Sequence, residues 1–238
     1  MSYLHADEVD GSARAAEIIV PLLRHMLRPI SSVVDLGGGT GAWLREFARC
    51  PSTAIQLYDH ESAGSGLLIP ADHFSAMDLS RAMPSTQRHF DLAVCVECAE
   101  HLPRGMAEPL VEWLTTCSDT VVFSAAIFGQ GGKRHINEQF PRYWRELFEK
   151  HGFARRDVLR RLILTNEQIP WWYRQNLLLY TRRGHDPFAS DTAPDFLPAD
   201  FELIYQHVQR RYEVPGFRSI FRSTLRRLGT ELRLRKVQ

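Results

Sequence analysis

The alternation of apolar and polar positions divides the chain into short strand-like runs and longer helical ones. Residues 12–28, "SARAAEIIVPLLRHMLR", space their apolar positions at three and four, which predicts a helix capped by Ser12 and kinked or divided at Pro21. "SSVVDLG" (31–37) reads as the first strand and "GAWLREFARC" as the helix after it. Strands two to five are expected at "TAIQLYD" (53–59), "HFSAMDL" (73–79), "FDLAVCVE" (90–97) and "DTVVFSAAI" (119–127), with a helix over 104–116. "FPRYWRELFEKHGF" (140–153) is an amphipathic helix ending at Gly152. "VLRRLILT" (158–165) and "NLLLYTRR" (176–183) read as two late strands with no helix between them. The expected fold class is α/β: a doubly wound, mostly parallel seven-stranded Rossmann-like sheet with helices on both faces, an N-terminal helix and a C-terminal helical extension. Two consecutive strands at the end predict antiparallel pairing there.

This pattern divides into four segments. Residues 1–30 form a helical cap, 31–183 the main domain, 184–200 a Pro- and Asp-rich linker, and 201–238 a basic helical extension. The net charge of +1 excludes a polycation overall, but the last segment alone carries nine Arg or Lys against three acids. Its Phe217, Ile220, Phe221, Leu225, Leu228 and Leu232 recur at helical spacing. A helix packed on the domain or on a second subunit fits this best, with an anionic membrane surface or RNA as the other readings. An apolar content of 44% supports a true core, and no apolar run reaches the roughly 20 residues of a membrane span. The acidic, polar start resembles no signal peptide, so a cytoplasmic location with reduced thiols is expected. Cys95 and Cys98 form a CxxC, but it straddles an apolar strand, which favours buried structural thiols over a redox pair.

Four glycines crowd residues 37–41, between a strand and a helix, in "VVDLGGGTGAWL". Such a loop lets a ligand approach the backbone, and the helix start behind it favours polar or anionic groups. Gly37-x-Gly39-x-x-Ala42 would pass as a dinucleotide fingerprint. Asp35 argues against one, because a carboxylate two residues before the first glycine repels a pyrophosphate. The same carboxylate suits a ligand with an ammonium group and no phosphate, such as S-adenosylmethionine (SAM).

Asp35-Leu36-Gly37-Gly38-Gly39-Thr40-Gly41 resembles the DxGxGxG motif of class I SAM-dependent methyltransferases, and the likeness runs through most of residues 31–183. The resemblance implies SAM as cofactor, held by Asp35, Gly37, Gly38, Gly39 and Gly41. It implies Asp59 on the ribose hydroxyls, Asp78 and Leu79 at the adenine, and Glu97 at the end of the fourth strand. The longer pattern "FSAAI…GQGG…HINEQ…YW…WWYRQNLLL" resembles a bacterial branch found near sugar and natural-product pathways.

Methyl transfer from a sulfonium requires an oriented nucleophile and, for an alcohol or acid, removal of a proton. The reacting groups are expected beyond strands four and five. His135, in "GQGGKRHINEQ" (129–139), is the general-base candidate, because an imidazole titrates near neutral pH. Asn137 and Glu138 are candidates for orienting substrate, with His101 and Tyr173 as further catalytic candidates. Glu97, Glu100, His101 and His135 could together bind Mg²⁺ or Mn²⁺, which resembles small-RNA and ubiquinone-type methyltransferases. Trp171, Trp172 and Tyr173 either wall the pocket or pack a crossover loop.

The reading that results is methyl transfer to an O or N nucleophile of a small sugar or natural-product acceptor, with a homodimer as an open assembly. Four alternatives stay open: aminocarboxypropyl transfer or self-cyclisation releasing methylthioadenosine, metal-assisted RNA methylation, a SAM-holding subunit without turnover, and a nicotinamide enzyme.

Overall fold

The computed structural model describes residues 6–85 and 88–188, with side chains from residue 11 onward. The basic extension expected at 201–238 and all but the first residues of the expected linker lie outside the described residues. Seven strands form one sheet: β1 (Ser32–Leu36), β2 (Ala54–Asp59), β3 (Phe74–Ala76), β4 (Leu92–Val96), β5 (Thr120–Ser124), β6 (Phe153–Arg156) and β7 (Leu178–Arg182). Their order is β3-β2-β1-β4-β5-β7-β6. The first five pair in parallel, whereas β7 runs antiparallel to β5 and to β6. The expected doubly wound sheet with late antiparallel strands is therefore present.

Side-chain alternation along the strands builds two cores. Val33, Leu92, Val94, Val122 and Leu179 face one cluster, and Val34, Leu36, Ala93, Cys95, Phe123 and Tyr180 face the other. A strand buried on both faces must be apolar at both parities, which is why β1, β4 and β5 read as continuous apolar runs. Helices α1 (Ala6–Met26) and α2 (Ala42–Ala48) supply the first cluster through Ile19, Leu23, Trp43 and Phe47. Helices α3 (Ala107–Cys117) and α4 (Pro141–Lys150) supply the second through Leu110, Leu114, Trp144 and Phe148. Phe148 stacks on Tyr180 with ring centroids 3.8 Å apart. Among the described residues no helix is long and apolar enough to cross a membrane.

Three local expectations are corrected. Helix α1 starts at Ala6, so Ser12 lies inside it rather than at its cap, and Pro21 also lies within it. The late strand is not "VLRRLILT". Gly152, at φ 80°, turns the chain out of α4 directly into β6 at Phe153. The apolar run beyond forms a single helical turn, α5 (Arg160–Ile163), burying Leu159 and Ile163 four apart. Period 2 and period 3.6 are hard to tell apart in a run this short. The stretch taken as a crossover loop is helix α6 (Trp171–Asn176), so two helices separate β6 from β7. Arg160 joins them: its side chain pairs with buried Asp157 and donates from Nη1 to the Gln175 carbonyl at 2.9 Å.

Sheet order places the site. The chain moves outward from β1 to β3, then returns to β4 on the other side of β1. The loops leaving β1 and β4 therefore diverge and open a crevice at the carboxyl ends of these strands, where ligands bind in open α/β sheets.

Candidate active site

The glycine loop leaves β1 directly beneath this crevice. Gly37, Gly39 and Gly41 have φ of 76°, 58° and 81°, a region that side chains avoid. Two glycines are also required by contact. A Cβ on Gly38 would lie 2.2 Å from Asp35 Oδ2, and one on Gly37 would lie 2.2 Å from Cys98 Sγ. Asp35 is thus folded up under the loop. It is fully buried, and neither oxygen has a hydrogen-bond partner among the described residues. Burial pushes its carboxyl well above the usual carboxylate range, and the nearby Asp59 charge adds to the effect. A buried carboxylate without a donor is costly to keep. One at the floor of a ligand crevice is set to receive a cation or a donor from outside the chain.

Asp59 closes β2 beside the same loop. Its Oδ2 accepts the Gly39 N–H at 2.6 Å and its Oδ1 accepts the His60 N–H at 2.5 Å. Burial pushes its carboxyl above the usual carboxylate range, partly offset by these two bonds. Asp78 sits in the turn after β3 and is exposed. Its Oδ1 accepts the Ser80 N–H and hydroxyl, and its Oδ2 pairs with Arg81 at 3.1 Å. The Ser80 hydroxyl holds this carboxyl below its usual range. Leu79 is buried, and its Cδ1 lies 3.7 Å from where a Cβ on Gly37 would be.

Beyond β4 the chain turns sharply at Glu97, whose φ of 50° is unusual for a residue with a side chain. Its Oε1 and both oxygens of Glu100 are buried without a partner among the described residues. Burial raises both carboxyls, and the Glu97 charge pushes Glu100 further. The "GQGGKRHINEQ" loop folds back onto this turn. Ile136 N and Asn137 N both donate to the Glu100 carbonyl, and Asn137 Nδ2 donates to the Ala99 carbonyl at 3.3 Å. His135 lies edge-on to His101 with ring centroids 4.9 Å apart. Ligand atoms of Glu100, His101 and His135 all fall within 4.8 Å of one another. The expected meeting of the two loops is therefore seen.

Glu138 was expected to orient substrate, but its oxygens are committed to the loop. Oε2 accepts the Gly129 N–H at 2.8 Å, and Oε1 accepts the Gly131 N–H at 2.6 Å. Oε1 also lies 3.0 Å from His135 Nδ1. One carboxylate thus gathers the glycine turn and the imidazole together. Asn137 is buried and accepts from Gln139 Nε2, so it too ties the loop internally. Tyr173 is buried against Trp43 at 5.9 Å between centroids. Burial, and then the Glu97 charge, keep its hydroxyl far above the ordinary tyrosine range. Cys95 and Cys98 are buried free thiols, and Cys98 forms the underside of Gly37.

Sequence reasoning missed four buried polar residues: Ser124, whose Oγ accepts the Glu97 N–H at 3.1 Å, and Gln130, Gln175 and Asn176, whose amides bond to one another. The only available signal was the pair of amides ending "WWYRQN" before an apolar strand.

Sheet order, glycine loop and the acids beneath it define the class I SAM-dependent methyltransferase fold. Residues 10–123 match the family described as a methyltransferase domain. The match covers the glycine loop and the strands on either side of it, and the sheet order agrees with that fold. One solved structure with this fold is an O-methyltransferase family protein from Burkholderia thailandensis, with 14% identity and a TM-score of 0.52. The alignment covers 74% of this chain and 59% of that one. Another is magnesium protoporphyrin IX methyltransferase from Synechocystis PCC 6803 with bound SAH, at 17% identity and a TM-score of 0.51. That alignment covers 76% of this chain and 90% of the other. The chain spans under 60% of the length of the first two structures it matches. No curated protein matches its sequence.

Proposed function

We propose that the chain transfers the methyl group of SAM to an oxygen nucleophile of a small-molecule acceptor. The observation that carries the cofactor reading is Asp35, a fully buried carboxylate with two open oxygens under the glycine loop. A pyrophosphate there would meet repulsion, whereas the ammonium group of SAM supplies the missing charge. Asp59 stands beside it for the ribose hydroxyls, with Asp78 and Leu79 on the adenine side. The preference for oxygen over nitrogen rests on the His135–Glu138 pair. A carboxylate at Nδ1 fixes one tautomer and leaves Nε2 to take a hydroxyl proton. The name of the Burkholderia relative points the same way. Glu97, Glu100 and His101 border the methyl position, and Tyr173 contributes the wall behind it.

A methyl-labelled SAM assay tests this reading. The expected products are S-adenosylhomocysteine and a labelled acceptor. Methylthioadenosine instead would move the chemistry to aminocarboxypropyl transfer or cyclisation, and binding without turnover would make the chain a SAM-holding subunit.

A second reading adds a divalent cation. Glu100, His101 and His135 fit Mg²⁺ or Mn²⁺ in donor type, and the two open oxygens of Glu100 lack any other partner among the described residues. Bound there, a cation would act as a Lewis acid on the acceptor oxygen. Chelation would then abolish turnover and Mn²⁺ would restore it, whereas turnover indifferent to chelator removes this reading.

The loop gives a cofactor test of its own. Gly38→Ala drives a methyl group into the Asp35 carboxylate and is expected to weaken SAM binding by at least about 1.4 kcal/mol, or tenfold. Gly105→Ala, where an added Cβ meets nothing within 4 Å, is the control and leaves binding unchanged. Equal calorimetric affinities for the two variants would show that the loop does not hold the cofactor.

A further inference from the structure

The loop after β5 holds three glycines, and two different causes put them there. Gly129 and Gly131 have φ of 82° and 69°, so the turn itself asks for glycine at these positions. The φ of Gly132 lies outside that region. Contact is what excludes a side chain at 132. A Cβ there would lie 2.2 Å from His135 Cε1, 2.4 Å from Nε2 and 2.7 Å from Nδ1. Such similar distances to three successive ring atoms put that Cβ over the face of the imidazole, not beyond its edge. The Gly132 backbone therefore borders the ring face at a closeness that only glycine permits.

Other sides of the ring are occupied too. Glu138 Oε1 lies 3.0 Å from His135 Nδ1, and the same oxygen accepts the Gly131 N–H at 2.6 Å. One atom thus ties the imidazole to the residue next to Gly132, and ring and backbone share a frame. His101 stands edge-on, with planes at 79° and centroids 4.9 Å apart. The His135 side chain is only 13% exposed, so the ring cannot make room for a methyl group without giving up one of these neighbours. A carboxylate at Nδ1 fixes the hydrogen there and leaves the lone pair on Nε2. A side chain at 132 would stand closer to Nε2 than to Nδ1, and so would cover the one ring nitrogen left to take a proton.

We infer that Gly132 is a positioning residue for His135: its missing side chain lets the loop backbone seat the face of the imidazole while Glu138 holds Nδ1, and together they fix where Nε2 points. The inference rests on the reading of His135 as the base. It adds a division of labour within the loop. Gly129 and Gly131 bend the chain, and Gly132 seats the ring.

Ring-nitrogen NMR of the full chain reads the seat without any acceptor. The signals of the neutral His135 ring, identified by their loss in His135→Ala, should report a hydrogen on Nδ1 in the parent. Gly132→Ala should move them toward a mixture of both tautomers, and Gly105→Ala, where an added Cβ meets nothing within 4 Å, should leave them in place. Transfer of label from methyl-labelled SAM reads the consequence. Gly132→Ala is expected to lower kcat about 100-fold, the order of loss for a misplacement of about 1 Å, with calorimetric SAM affinity within about twofold of the parent. Added to His135→Ala, the same change should cost less than about twofold, because no ring is left to displace. Should Gly132→Ala fold poorly, its melting temperature carries the same cycle: the loss should vanish in the His135→Ala background. Unmoved ring signals, or an equal melting loss in both backgrounds, would overturn the inference. Normal kcat in Gly132→Ala beside a lost one in His135→Ala would overturn it while leaving the base reading intact. Normal kcat in His135→Ala would remove the base reading, and the inference with it.

Discussion

Replacing His135 by alanine is expected to leave SAM affinity nearly intact and to lower turnover by roughly 10²–10⁴-fold, the range for loss of a general base. The reasoning starts from position. His135 lies edge-on to His101, and its Nδ1 is engaged by Glu138. Nothing in that arrangement touches the Asp35 or Asp59 carboxylates. If His135 acts as a base, higher pH restores part of the lost rate, because hydroxide takes over proton removal. If it acts as a metal ligand, the variant loses divalent-ion dependence and high pH restores nothing. Glu138→Gln separates orientation from chemistry. It keeps the shape but replaces one oxygen with an NH₂, which cannot accept from Gly129, Gly131 and His135 together. A smaller fall in turnover is expected there, with SAM affinity again unchanged. A His135→Ala protein that turns over normally would contradict the placement of the chemistry at this loop.

Asp35→Asn is expected to stabilise the ligand-free protein and nearly abolish SAM binding. The native carboxyl is raised by burial, so the folded state holds its proton to higher pH than the unfolded chain does. Its favourable contribution is therefore present below the unfolded value of about 3.9 and is lost as pH rises toward the folded value. At neutral pH the folded protein carries the cost of an unpartnered buried group, on the order of 1–3 kcal/mol. Asparagine removes the charge, so unfolding at pH 7 should require more denaturant, while the difference from the parent should shrink in acid. The same change deletes the counter-charge for the SAM ammonium group. Thermal or urea melts of both proteins from pH 4 to 8, with SAM titrations alongside, read both effects. A variant that is less stable at pH 7 and still binds SAM would contradict the role assigned to Asp35.

What could be read from the chain was what lies close together in it. The glycine loop, Asp35 and Asp59 fall at fixed distances along one strand-loop-helix-strand unit, so composition and order alone located the crevice beyond β1. The parallel strands were visible because burial on both faces makes "VVDL" and "LAVCV" apolar throughout. The late strands were harder. Nothing local says that "FARR", with two arginines, is the strand and that "RRLI" is a helical turn. That outcome depends on an edge position for β6 and on Asp157 waiting for Arg160 in the core. The loop after β5 was half legible: the sequence brought His135 and Glu100 to one place but did not show that Glu138 binds backbone N–H groups and the imidazole of its own loop. The Gln130–Asn176 bond spans 46 residues, and no spacing rule reaches that far.

The central claim is that this crevice takes SAM. Calorimetric titration of the full chain with SAM, S-adenosylhomocysteine and NADH in parallel tests it most directly. Saturable one-site binding of the first two, removed by Asp35→Ala, with no heat from NADH, is the result predicted. Saturable NADH binding with SAM silent would contradict the account at its root, because the repulsion attributed to Asp35 would then not operate.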